Sequence, residues 1–371
     1  MRIAHVVATF PPYWAGTGNV AYQQSRVLHE RGYAVEVFTA LPAYEQPMDF
    51  PFPVHYLKTW GRLGNAPFTP SLIRQLRGFD LIHLHYPYIF GADLTVIAAR
   101  RYHIPVVATY HNDLLDSGFK GMLFSLYNSL RQPSILRKMS KIMVPTKDYA
   151  DHSKLRFLSS LPMKIIPHGV ELPLRAKPNE DLNLTLPGSY FLFVGALDSA
   201  HRSKGLEILL HAMALVNDDA VTLVVAGDGN LRAEFTQQAK TLGLNNVVFV
   251  GKVSPSKTLP TLYANAIATV LPCTSMESFG LVVIESWANK TPVVTTTVPG
   301  VRELIDDGID GHLVSSGDPR VLALVIKQLF QRLPHAQRMG EAGYQKVRSY
   351  YTWDRVVDQI EALYREVVQD P

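Results

Sequence analysis

Two glutamates separated by seven residues mark the part of this sequence with the clearest chemistry. Glu277 follows an apolar run that ends near Leu271, and Glu285 lies on a helix that we predict from Phe279–Gly280 onward. The first turn of a helix offers backbone N–H groups without intrahelical partners and the positive end of the helix dipole, so it can bind phosphate. Gly280 has no side chain, which lets a phosphate approach the backbone closely.

The two carboxylates extend this anion site towards a larger ligand. Glu277 can accept hydrogen bonds from sugar hydroxyls, and Glu285, more than one helical turn later, can hold a second polyol such as ribose. The pattern suits a ligand with two hydroxyl-rich ends and a diphosphate between them. A capped helix with one solvent-facing glutamate is the simpler alternative for such a pair in isolation. The binding site is favoured by the flanking sequences Ser278-Phe279-Gly280-Leu281 and Pro292-Val293-Val294.

A glycine pattern near the N-terminus suggests a different chemistry. The segment Gly16–Ala21 matches the G-x-G-x-x-G/A fingerprint, and Glu36 stands where the ribose-binding acid of a NAD-dependent oxidoreductase is expected. However, Pro11–Ala15 separate the glycines from the first strand, and Glu36 falls inside an apolar strand. We therefore expect Gly16 and Gly18 to form a loop where the backbone approaches a ligand, with a plain tight turn as the alternative.

The elements that must position these residues alternate between short apolar runs and helical stretches. Apolar runs that are continuous predict parallel strands covered by helices on both faces. In the first half the sequence predicts strands Ile3–Ala8, Ala34–Thr39, Leu81–Leu84, Val106–Thr109 and Ile142–Val144, with helices Val20–Arg31 and Leu94–Tyr102. In the second half it predicts strands Tyr190–Val194, Val221–Ala226, Val247–Val250, Ile267–Leu271 and Pro292–Thr295, with helices Gly205–Val216 and Leu231–Leu242.

A proline-rich, polar stretch without periodicity separates the two halves. We place an N-terminal domain at residues 1–170, a linker at 171–187 and a C-terminal domain at 188–352. The last segment, Trp353–Val368, is an amphipathic helix, and we expect residues 353–371 to return to the N-terminal domain. Ligands of open α/β sheets bind beyond the carboxyl ends of the strands, so we expect the site in a cleft between the domains.

Composition sets the broad class of the protein. The chain has 371 residues, of which 47% are hydrophobic and 18% charged, as in ordinary globular proteins. Its one cysteine, Cys273, excludes an internal disulfide and a cysteine-rich metal site. We interpret the N-terminus as a strand rather than a secretory signal, and no apolar run reaches the roughly 18 residues of a spanning helix. The sequence therefore favours a cytoplasmic protein.

Charge is distributed unevenly along the chain. Residues 1–171 carry 18 Lys/Arg and 11 Asp/Glu, a net +7, whereas residues 172–371 carry a net −3. The first half is thus expected to face something anionic, with chance surface variation as the alternative. We expect no nucleic-acid partner.

The segment from Glu277 to Glu285 resembles the E-x7-E signature of the retaining family-four glycosyltransferases, which have the GT-B fold. The resemblance extends over nearly the whole chain, in the order expected. It includes the glycine loop Gly16–Gly18, the histidine of Tyr110-His111, the linker motif Ile166–Val170 with His168 in the usual place of Asn, Lys204-Gly205 and the glycine-rich turn Ala226–Gly229. It implies an α/β protein with two Rossmann-like, doubly wound parallel-sheet domains that face an interdomain cleft.

The resemblance also implies roles for basic residues. Lys204, next to a predicted helix start, would neutralise a diphosphate leaving group, with a solvated surface lysine as the alternative. The family often has a second basic residue after the glycine of the preceding strand end, but here Ala196 follows Gly195. We expect Arg202 to substitute for it.

Further residues are assigned by position. The resemblance implies that His111 contacts a sugar hydroxyl near the reacting carbon, and a core histidine bonded to backbone is the alternative. Gly227 would belong to the turn beside the nucleotide. Lys252 and Val253, after the strand Val247–Val250, would lie near the base, although they could simply end a strand.

The implied reaction retains the anomeric configuration and uses no cofactor. Its donor substrate is a nucleoside-diphosphate sugar, with UDP-glucose our first choice and GDP-mannose our second. The sequence contains no Asp-x-Asp, so we expect no metal-bridged diphosphate. Neither the nucleotide nor the sugar follows from these residues. A sugar-nucleotide epimerase, the oxidoreductase and a non-catalytic sugar-nucleotide binder are the alternatives.

One segment that is both basic and apolar, Phe119–Ile142, suggests what kind of acceptor the protein uses. It contains Met122, Leu123, Phe124, Leu126, Tyr127 and Leu130, followed by Arg131, Arg137, Lys138 and Lys141. Such a surface can lie at a membrane interface. Our hypothesis is a glycan or polyprenyl-linked acceptor in surface polysaccharide synthesis, with peripheral association at the inner membrane face. A helix packed on the N-terminal sheet is the alternative.

Overall fold

The computed structural model describes residues 1–11, 16–40, 48–63, 66–114, 126–158, 160–172 and 188–369. The chain divides into two compact units, Met1–Gly169 with Trp353–Pro371 and Val170–Thr352. Val170, which we placed at the end of the first domain, belongs to the second because its N–H donates to the carbonyl of Tyr351 at 2.8 Å. Most of the expected linker, residues 173–187, lies outside the described residues.

A sheet of seven parallel strands forms the centre of the first unit, in the order β3-β2-β1-β6-β7-β8-β9. The chain leaves β1 towards one edge and then returns to its other side, as in doubly wound sheets. The strands are β1 (Arg2–Val6), β2 (Ala34–Ala40), β3 (Val54–Leu57), β6 (Leu81–Tyr86), β7 (Val106–Tyr110), β8 (Lys141–Val144) and β9 (Met163–Ile165). A separate antiparallel pair consists of β4 (Gly61–Leu63) and β5 (Ala66–Phe68).

Helices of the first unit connect these strands, and the last helix of the chain joins them. They are α1 (Gly16–Glu30), α2 (Leu72–Gln75), α3 (Gly91–Tyr102), α4 (Gln132–Leu136), α5 (Lys147–His152), a 3-10 helix (Lys154–Phe157) and α12 (Trp353–Gln369). The apolar face predicted for α12 is confirmed, since Val356, Val357, Ile360, Leu363 and Val367 are all buried. Arg31, just after α1, fixes the polar side of α12 by pairing with Asp358 at 2.8 Å.

The second unit repeats the architecture with six parallel strands in the order β12-β11-β10-β13-β14-β15. They are β10 (Tyr190–Val194), β11 (Thr222–Ala226), β12 (Val247–Gly251), β13 (Ala266–Leu271), β14 (Val293–Thr296) and β15 (Gly311–Val314). The α-helices are α6 (Leu206–Val216), α7 (Arg232–Thr241), α8 (Thr258–Asn265), α9 (Leu281–Ala288), α10 (Pro319–Gln331) and α11 (Leu333–Lys346). Shorter turns are 3-10 helices at Ser199–Lys204 and Val301–Leu304 and a π-helix at Val347–Tyr351.

Apolar clusters on this second sheet hold α9 in place. Trp287 of α9 is fully buried, and its indole N–H donates to the carbonyl of Asp310 at 2.8 Å. Helix α11 approaches so closely that a Cβ at Gly343 would come within 2.1 Å of the Trp287 ring, and one at Gly340 within 1.9 Å of the carbonyl oxygen of Lys290. The start of α9, where the predicted anion site lies, is therefore held by tight packing at its far end.

Candidate functional site

The loop between β13 and α9 carries Glu277 and is held from two sides. The Glu277 N–H donates to the carbonyl of Pro299 at 3.2 Å, and Glu277 forms an isolated parallel bridge with Gly300. Gly300 has φ +94°, and a Cβ there would lie 1.9 Å from the carbonyl oxygen of Glu277, so the two segments can approach this closely only with glycine. The carboxylate is thus presented by a fixed backbone.

The start of α9 has the geometry expected of an anion site. Gly280 precedes the helix with φ +81° and supplies no side-chain cap. The backbone N–H groups of the first turn are therefore exposed to capping by a ligand anion. The side chain of Phe279, one of the predicted binding residues, is 1% exposed and its ring packs edge-on against Tyr351 at 5.9 Å, so its backbone is the part that a ligand could reach. Leu281 likewise packs against the apolar core.

Lys204 is brought to Glu277 by the turn that precedes α6. Its ammonium lies 3.8 Å from the Glu277 carboxylate, with both side chains largely buried. The turn packs onto the loop after β13, since Gly205 has φ +82° and a Cβ there would meet the carbonyl oxygen of Pro272 at 1.9 Å. The aliphatic part of Lys204 runs along Gly195, where a Cβ would lie 3.0 Å from its Cδ.

Electrostatics keep Lys204 charged. Burial acts to lower the pKa of its ammonium, but the carboxylates of Glu277 and Glu285 outweigh burial and raise the pKa above its ordinary value. A protonated amine beside a helix start can neutralise an incoming diphosphate. The predicted association of Lys204, Glu277 and the start of α9 is therefore present within one unit.

Glu285 is oriented by a residue that the sequence did not indicate. The Tyr263 hydroxyl, on α8, donates to the Glu285 carboxylate at 2.8 Å. Burial raises the pKa of Glu285, opposed by this hydrogen bond and by the charge of Lys204. Because Tyr263 lies 22 residues before Glu285 and the contact depends on how α8 packs against α9, no local pattern announces it.

A glycine-rich turn closes the carboxyl ends of β10, β11 and β12. The Gly227 N–H donates to the carbonyl of Gly251 at 2.9 Å, and the Leu197 N–H donates to the carbonyl of Asp228 at 3.0 Å. Gly227 has φ +150°, and a Cβ there would come within 1.8 Å of the carbonyl oxygen of Gly195. Lys252 is exposed beyond β12. Val253, by contrast, packs against the apolar core, which limits what its side chain can offer a ligand.

Arg202 does not join the Lys204 cluster. Its guanidinium donates to Glu234 at 2.6 Å and contacts Glu207 at 3.4 Å, on α7 and α6 respectively. Residues two apart in a 3-10 helix point to different sides, so the turn that brings Lys204 to Glu277 directs Arg202 away from it. Ala196, the position that Arg202 was expected to complement, is exposed.

The same turn contains a hydrogen-bonded pair, Asp198 and His201, that we did not predict. Asp198 caps the 3-10 helix, and its carboxylate accepts hydrogen bonds from the backbone N–H of His201 at 3.0 Å and from the His201 ring at 2.7 Å. The spacing Asp-x-x-His at the start of a turn is the only local signal for this pair.

His111 belongs to the first unit and follows β7. Its backbone N–H donates to the carbonyl of Tyr86 at 2.8 Å. The ring nitrogen Nε2 lies 3.0 Å from Nδ1 of His85, and the ring stacks on that of His168 with centroids 5.3 Å apart. Burial, assisted by His168, lowers the pKa of His111 well below the ordinary value. His111 is therefore a neutral imidazole at the carboxyl end of a central strand.

The glycines near the N-terminus are not in a loop, contrary to our expectation. Gly16 is the first residue of α1 and Gly18 lies in its first turn. A Cβ at Gly18 would come 2.8 Å from the carbonyl oxygen of Thr9, so this glycine makes room for the protein's own backbone. Residues 12–15, the remainder of the predicted loop, lie outside the described residues.

Two family models match most of the chain, one in each half. The model described as Glycosyltransferase Family 4 matches residues 14–173, and the one described as Glycosyl transferases group 1 matches residues 178–346. The chain belongs to glycosyltransferase family four. This membership excludes the oxidoreductase and epimerase alternatives. For the oxidoreductase the structure adds a reason, because the Glu36 carboxylate is engaged by Arg2 at 2.8 Å and His55 at 2.7 Å.

Similar proteins cover this glycosyltransferase over nearly its full length. O-antigen chain mannosyltransferase C of Escherichia coli is 26% identical and the match covers 100% of this chain and 99% of that protein. Phosphatidyl-myo-inositol mannosyltransferase of Mycobacterium leprae is 29% identical, with 95% and 93% covered. D-rhamnosyltransferase WbpZ of Pseudomonas aeruginosa is 26% identical, with 95% and 92% covered.

Solved structures show that this glycosyltransferase has the GT-B fold. Sucrose-phosphate synthase from Thermosynechococcus elongatus superposes with a TM-score of 0.82 at 22% identity, covering 100% of both chains. HepE from Anabaena, solved in complex with UDP and glucose, superposes with a TM-score of 0.80 at 19% identity, covering 99% of this chain and 100% of that one. Among the described helices, none has the length and apolarity needed to cross a bilayer.

Proposed function

We propose that this glycosyltransferase moves a hexose from a nucleoside-diphosphate sugar to a glycan or lipid-linked acceptor, with retention of anomeric configuration. The observation that carries the proposal is the Lys204–Glu277 pair, 3.8 Å apart, beside the uncapped start of α9. A cation and a helix N-terminus suit a diphosphate, and a rigidly held carboxylate suits sugar hydroxyls. Glu285, with its Tyr263 partner, is the proposed site for a second polyol, the ribose.

The proposed reaction needs no enzymic nucleophile. The bond between the anomeric carbon and the diphosphate oxygen breaks, and its electron pair leaves with the diphosphate, whose charge Lys204 and the α9 amides neutralise. The acceptor hydroxyl forms the new bond on the same face, and its proton passes to the departing phosphate oxygen. His111, as a neutral imidazole, is proposed to contact a sugar hydroxyl. Because charge is neutralised by these groups, the proposal requires no metal ion.

The donor is narrowed by the names of the relatives. Proteins similar to this chain over nearly its whole length are named as mannosyltransferases, which favours a mannosyl donor such as GDP-mannose over our first choice, UDP-glucose. Lys252, which we expect near the nucleotide base, is exposed and does not distinguish guanine from uracil. Both donors therefore belong in the decisive experiment.

A thermal-shift panel distinguishes the donors. UDP, GDP, ADP, their sugars and NAD(H) are each added to the full chain, with and without EDTA. A ligand at about 100 times its Kd stabilises the folded protein by about 2.7 kcal/mol, so one nucleotide family should raise the Tm clearly. We expect stabilisation by guanosine or uridine nucleotides, and stabilisation by NAD(H) alone would overturn the proposal.

Matched variants localise the effect to the proposed site. Glu285→Ala should abolish the nucleotide-dependent rise in Tm, whereas Glu234→Ala, which removes an exposed carboxylate elsewhere on the same unit, should leave it intact. Equal loss in both variants would contradict the assignment of Glu285. Stabilisation that disappears in EDTA would contradict metal-independent binding.

The acceptor proposal rests on exposed leucines of the first unit. Residues 126–130 are helical, and Leu126 and Leu130, one turn apart, are 56% and 65% exposed. Arg137 and Lys138, a few residues later in the sequence, are also exposed. We use the term basic-apolar surface for Leu126, Leu130, Arg137 and Lys138. Met122, Leu123 and Phe124, which belong to the same expectation, lie outside the described residues. We propose that this surface contacts an anionic membrane that carries a lipid-linked acceptor.

Vesicle flotation tests the membrane contact. Wild-type protein should float with vesicles that contain phosphatidylglycerol, and the double variant Leu126→Glu/Leu130→Glu should bind at least about tenfold more weakly, since each buried leucine contributes roughly 1.5–3 kcal/mol. Leu324→Glu changes an equally exposed leucine of the second unit and should have no effect. Failure of the wild-type protein to bind anionic vesicles would rule the contact out.

A further inference from the structure

Among the described residues, five histidines are buried in the first unit, and three of them form a continuous row. His5 lies on β1, His83 and His85 lie on β6, His111 follows β7, and His168 follows β9; all are at most 5% exposed. Nδ1 of His5 lies 3.0 Å from Nε2 of His85, and Nδ1 of His85 lies 3.0 Å from Nε2 of His111. Adjacent parallel strands place these rings side by side, which gives a hydrogen-bonded chain that ends at His111.

All members of this chain are neutral near pH 7. Burial lowers the pKa of His5 to about 3 and, assisted by neighbouring histidines, lowers the pKa values of His85 and His111 well below the ordinary value. A neutral imidazole has one N–H donor and one acceptor nitrogen. Each link of the chain therefore has one donor and one acceptor, and fixing the proton on one ring fixes it on all three.

The buried end of the chain determines its direction. Nε2 of His5 is buried and has no hydrogen-bond partner among the residues of the protein that the structure describes. A buried N–H without an acceptor is rarer and costlier than a nitrogen acceptor without a donor, so His5 carries its proton on Nδ1. His5 then donates to Nε2 of His85, and His85 donates from Nδ1 to Nε2 of His111.

We propose that His85, supported by His5, is a positioning residue that holds the proton of His111 on Nδ1 and fixes its ring. The tautomer follows because Nε2 of His111 accepts from His85, so the single proton of His111 must be on the other nitrogen. His111 then offers a hydrogen-bond donor, not a base, from Nδ1. This inference rests on the proposed function, in which His111 contacts a hydroxyl of the donor sugar.

A metal site is the competing interpretation of the cluster His5, His83 and His85, whose candidate ligand atoms lie within 4.8 Å of one another. The rings of His83 and His85 are stacked, with centroids 4.5 Å apart and planes 17° from parallel. Stacked imidazoles direct their in-plane lone pairs side by side rather than towards one ion. Both nitrogens of His83 are also engaged, by Tyr364 at 2.5 Å and Thr109 at 2.7 Å. The geometry therefore favours hydrogen bonding.

NMR of the full chain labelled with ring-15N histidine reports the tautomer directly. Long-range 1H–15N correlations distinguish a protonated ring nitrogen from an unprotonated one, and the His111 signals are assigned by their absence from His111→Asn. We expect His111 to carry its proton on Nδ1 near pH 7. A proton on Nε2 of His111, or coordination shifts of His5, His83 and His85 on adding Zn2+ alone, would overturn the proposal.

Variants separate positioning from folding. His85→Leu removes the donor, so we expect a mixture of His111 tautomers and a kcat about five- to tenfold lower, the scale of one hydrogen bond. His85→Asn keeps an amide donor close to the place of Nδ1 and should restore both the tautomer and most of kcat. His83→Gln alters the same cluster but removes none of the hydrogen bonds that link His5, His85 and His111, so it should lower Tm and leave the His111 tautomer unchanged.

The outcomes distinguish this inference from the proposed function. Hexosyl transfer with His111 protonated on Nε2 would contradict the proposed row of histidine hydrogen bonds but not the proposed function. The expected tautomer in a protein that transfers no hexose would contradict the proposed function but not the row of histidine hydrogen bonds. A loss of kcat in His85→Leu that His85→Asn does not restore, with the tautomer unchanged in both, would show that His85 is merely structural.

Discussion

Lys204 shows how single residues create the chemistry of this site. Burial acts against its charge, whereas Glu277 and Glu285 favour it, and the balance raises the pKa of the ammonium. The side chain is 19% exposed, so its positive charge acts through a medium less polarisable than bulk water. In the proposed reaction, the diphosphate therefore meets a cation that is already in place and already protonated.

The first prediction concerns this cation. Lys204→Met keeps much of the length of the side chain but removes its charge, so the leaving diphosphate loses its main cationic partner. We expect kcat to fall by about 100- to 1000-fold, the usual loss when one preorganised stabilising group is removed. Steady-state kinetics with the donor identified by the thermal-shift panel would measure it.

Arg202→Met is the matched control. Its guanidinium is bound to Glu234 and Glu207, so its loss should change kcat by no more than a few-fold. If Arg202→Met were as damaging as Lys204→Met, Arg202 would have to leave its carboxylate partners during the reaction. That result would restore the original expectation that it substitutes for a basic residue at Ala196.

At the scale of elements, packing of α11 against α9 fixes the helix whose N-terminus is the proposed anion site. Gly340 and Gly343 lie inside α11, where glycine ordinarily weakens a helix by about 1 kcal/mol relative to alanine. They remain compatible with a stable fold because they allow the helix to approach Lys290 and Trp287 within distances that no Cβ permits. The position of α9 therefore depends on small residues more than 50 positions away in sequence.

The second prediction reverses the usual preference for alanine in helices. Gly340→Ala adds a Cβ that would lie 1.9 Å from the carbonyl oxygen of Lys290. The resulting displacement should cost about 1–3 kcal/mol, more than the gain in helix propensity. Thermal unfolding should show a lower Tm, while Gly188→Ala, where a Cβ meets no described residue within 4 Å, should be neutral. A stabilised Gly340→Ala would mean that α11 shifts freely.

At the scale of the whole molecule, the two units differ in what they bury. The first unit buries His5, His83, His85, His111 and His168 as neutral imidazoles, and burial lowers the pKa of each. The described histidines of the second unit are not among the buried residues. The units should therefore respond differently to acid.

The third prediction follows from proton linkage. Unfolding returns each buried histidine to a pKa near 6.5, whereas the folded values reach about 3 for His5 and about 4 for His168. Between these values the unfolded state binds more protons, so stability is complete above about pH 6.5 and falls as the pH drops. Each histidine contributes up to about 1.4 kcal/mol per pH unit.

Hydrogen exchange followed by mass spectrometry, corrected for intrinsic exchange rates, measures this difference. Between pH 7.5 and 5.5, peptides of the first unit should lose protection before those of the second. The variant His5→Asn should show a shallower dependence on pH. Earlier loss of protection in the second unit would contradict the linkage argument.

Several features were determined by the sequence because they depend on neighbouring residues. Short continuous apolar runs such as Tyr190–Val194 favour buried strands, and the structure has that strand with the predicted limits. The amphipathic face of α12 is likewise fixed by local spacing. The motif from Glu277 to Glu285 needs only a loop and a helix start, both specified by Gly280 and its neighbours. Fold class and family followed from these local signals.

Only the tertiary structure decided which side chains meet across distant elements. The direction of Arg202 towards Glu234, the hydrogen bond from Tyr263 to Glu285 and the row from His5 to His111 each join segments between 22 and 106 residues apart. Likewise, the close approach of Gly18 to the carbonyl oxygen of Thr9 was not indicated by the sequence. Periodicity and turn chemistry act over a few residues, whereas strand order and helix packing determine these contacts.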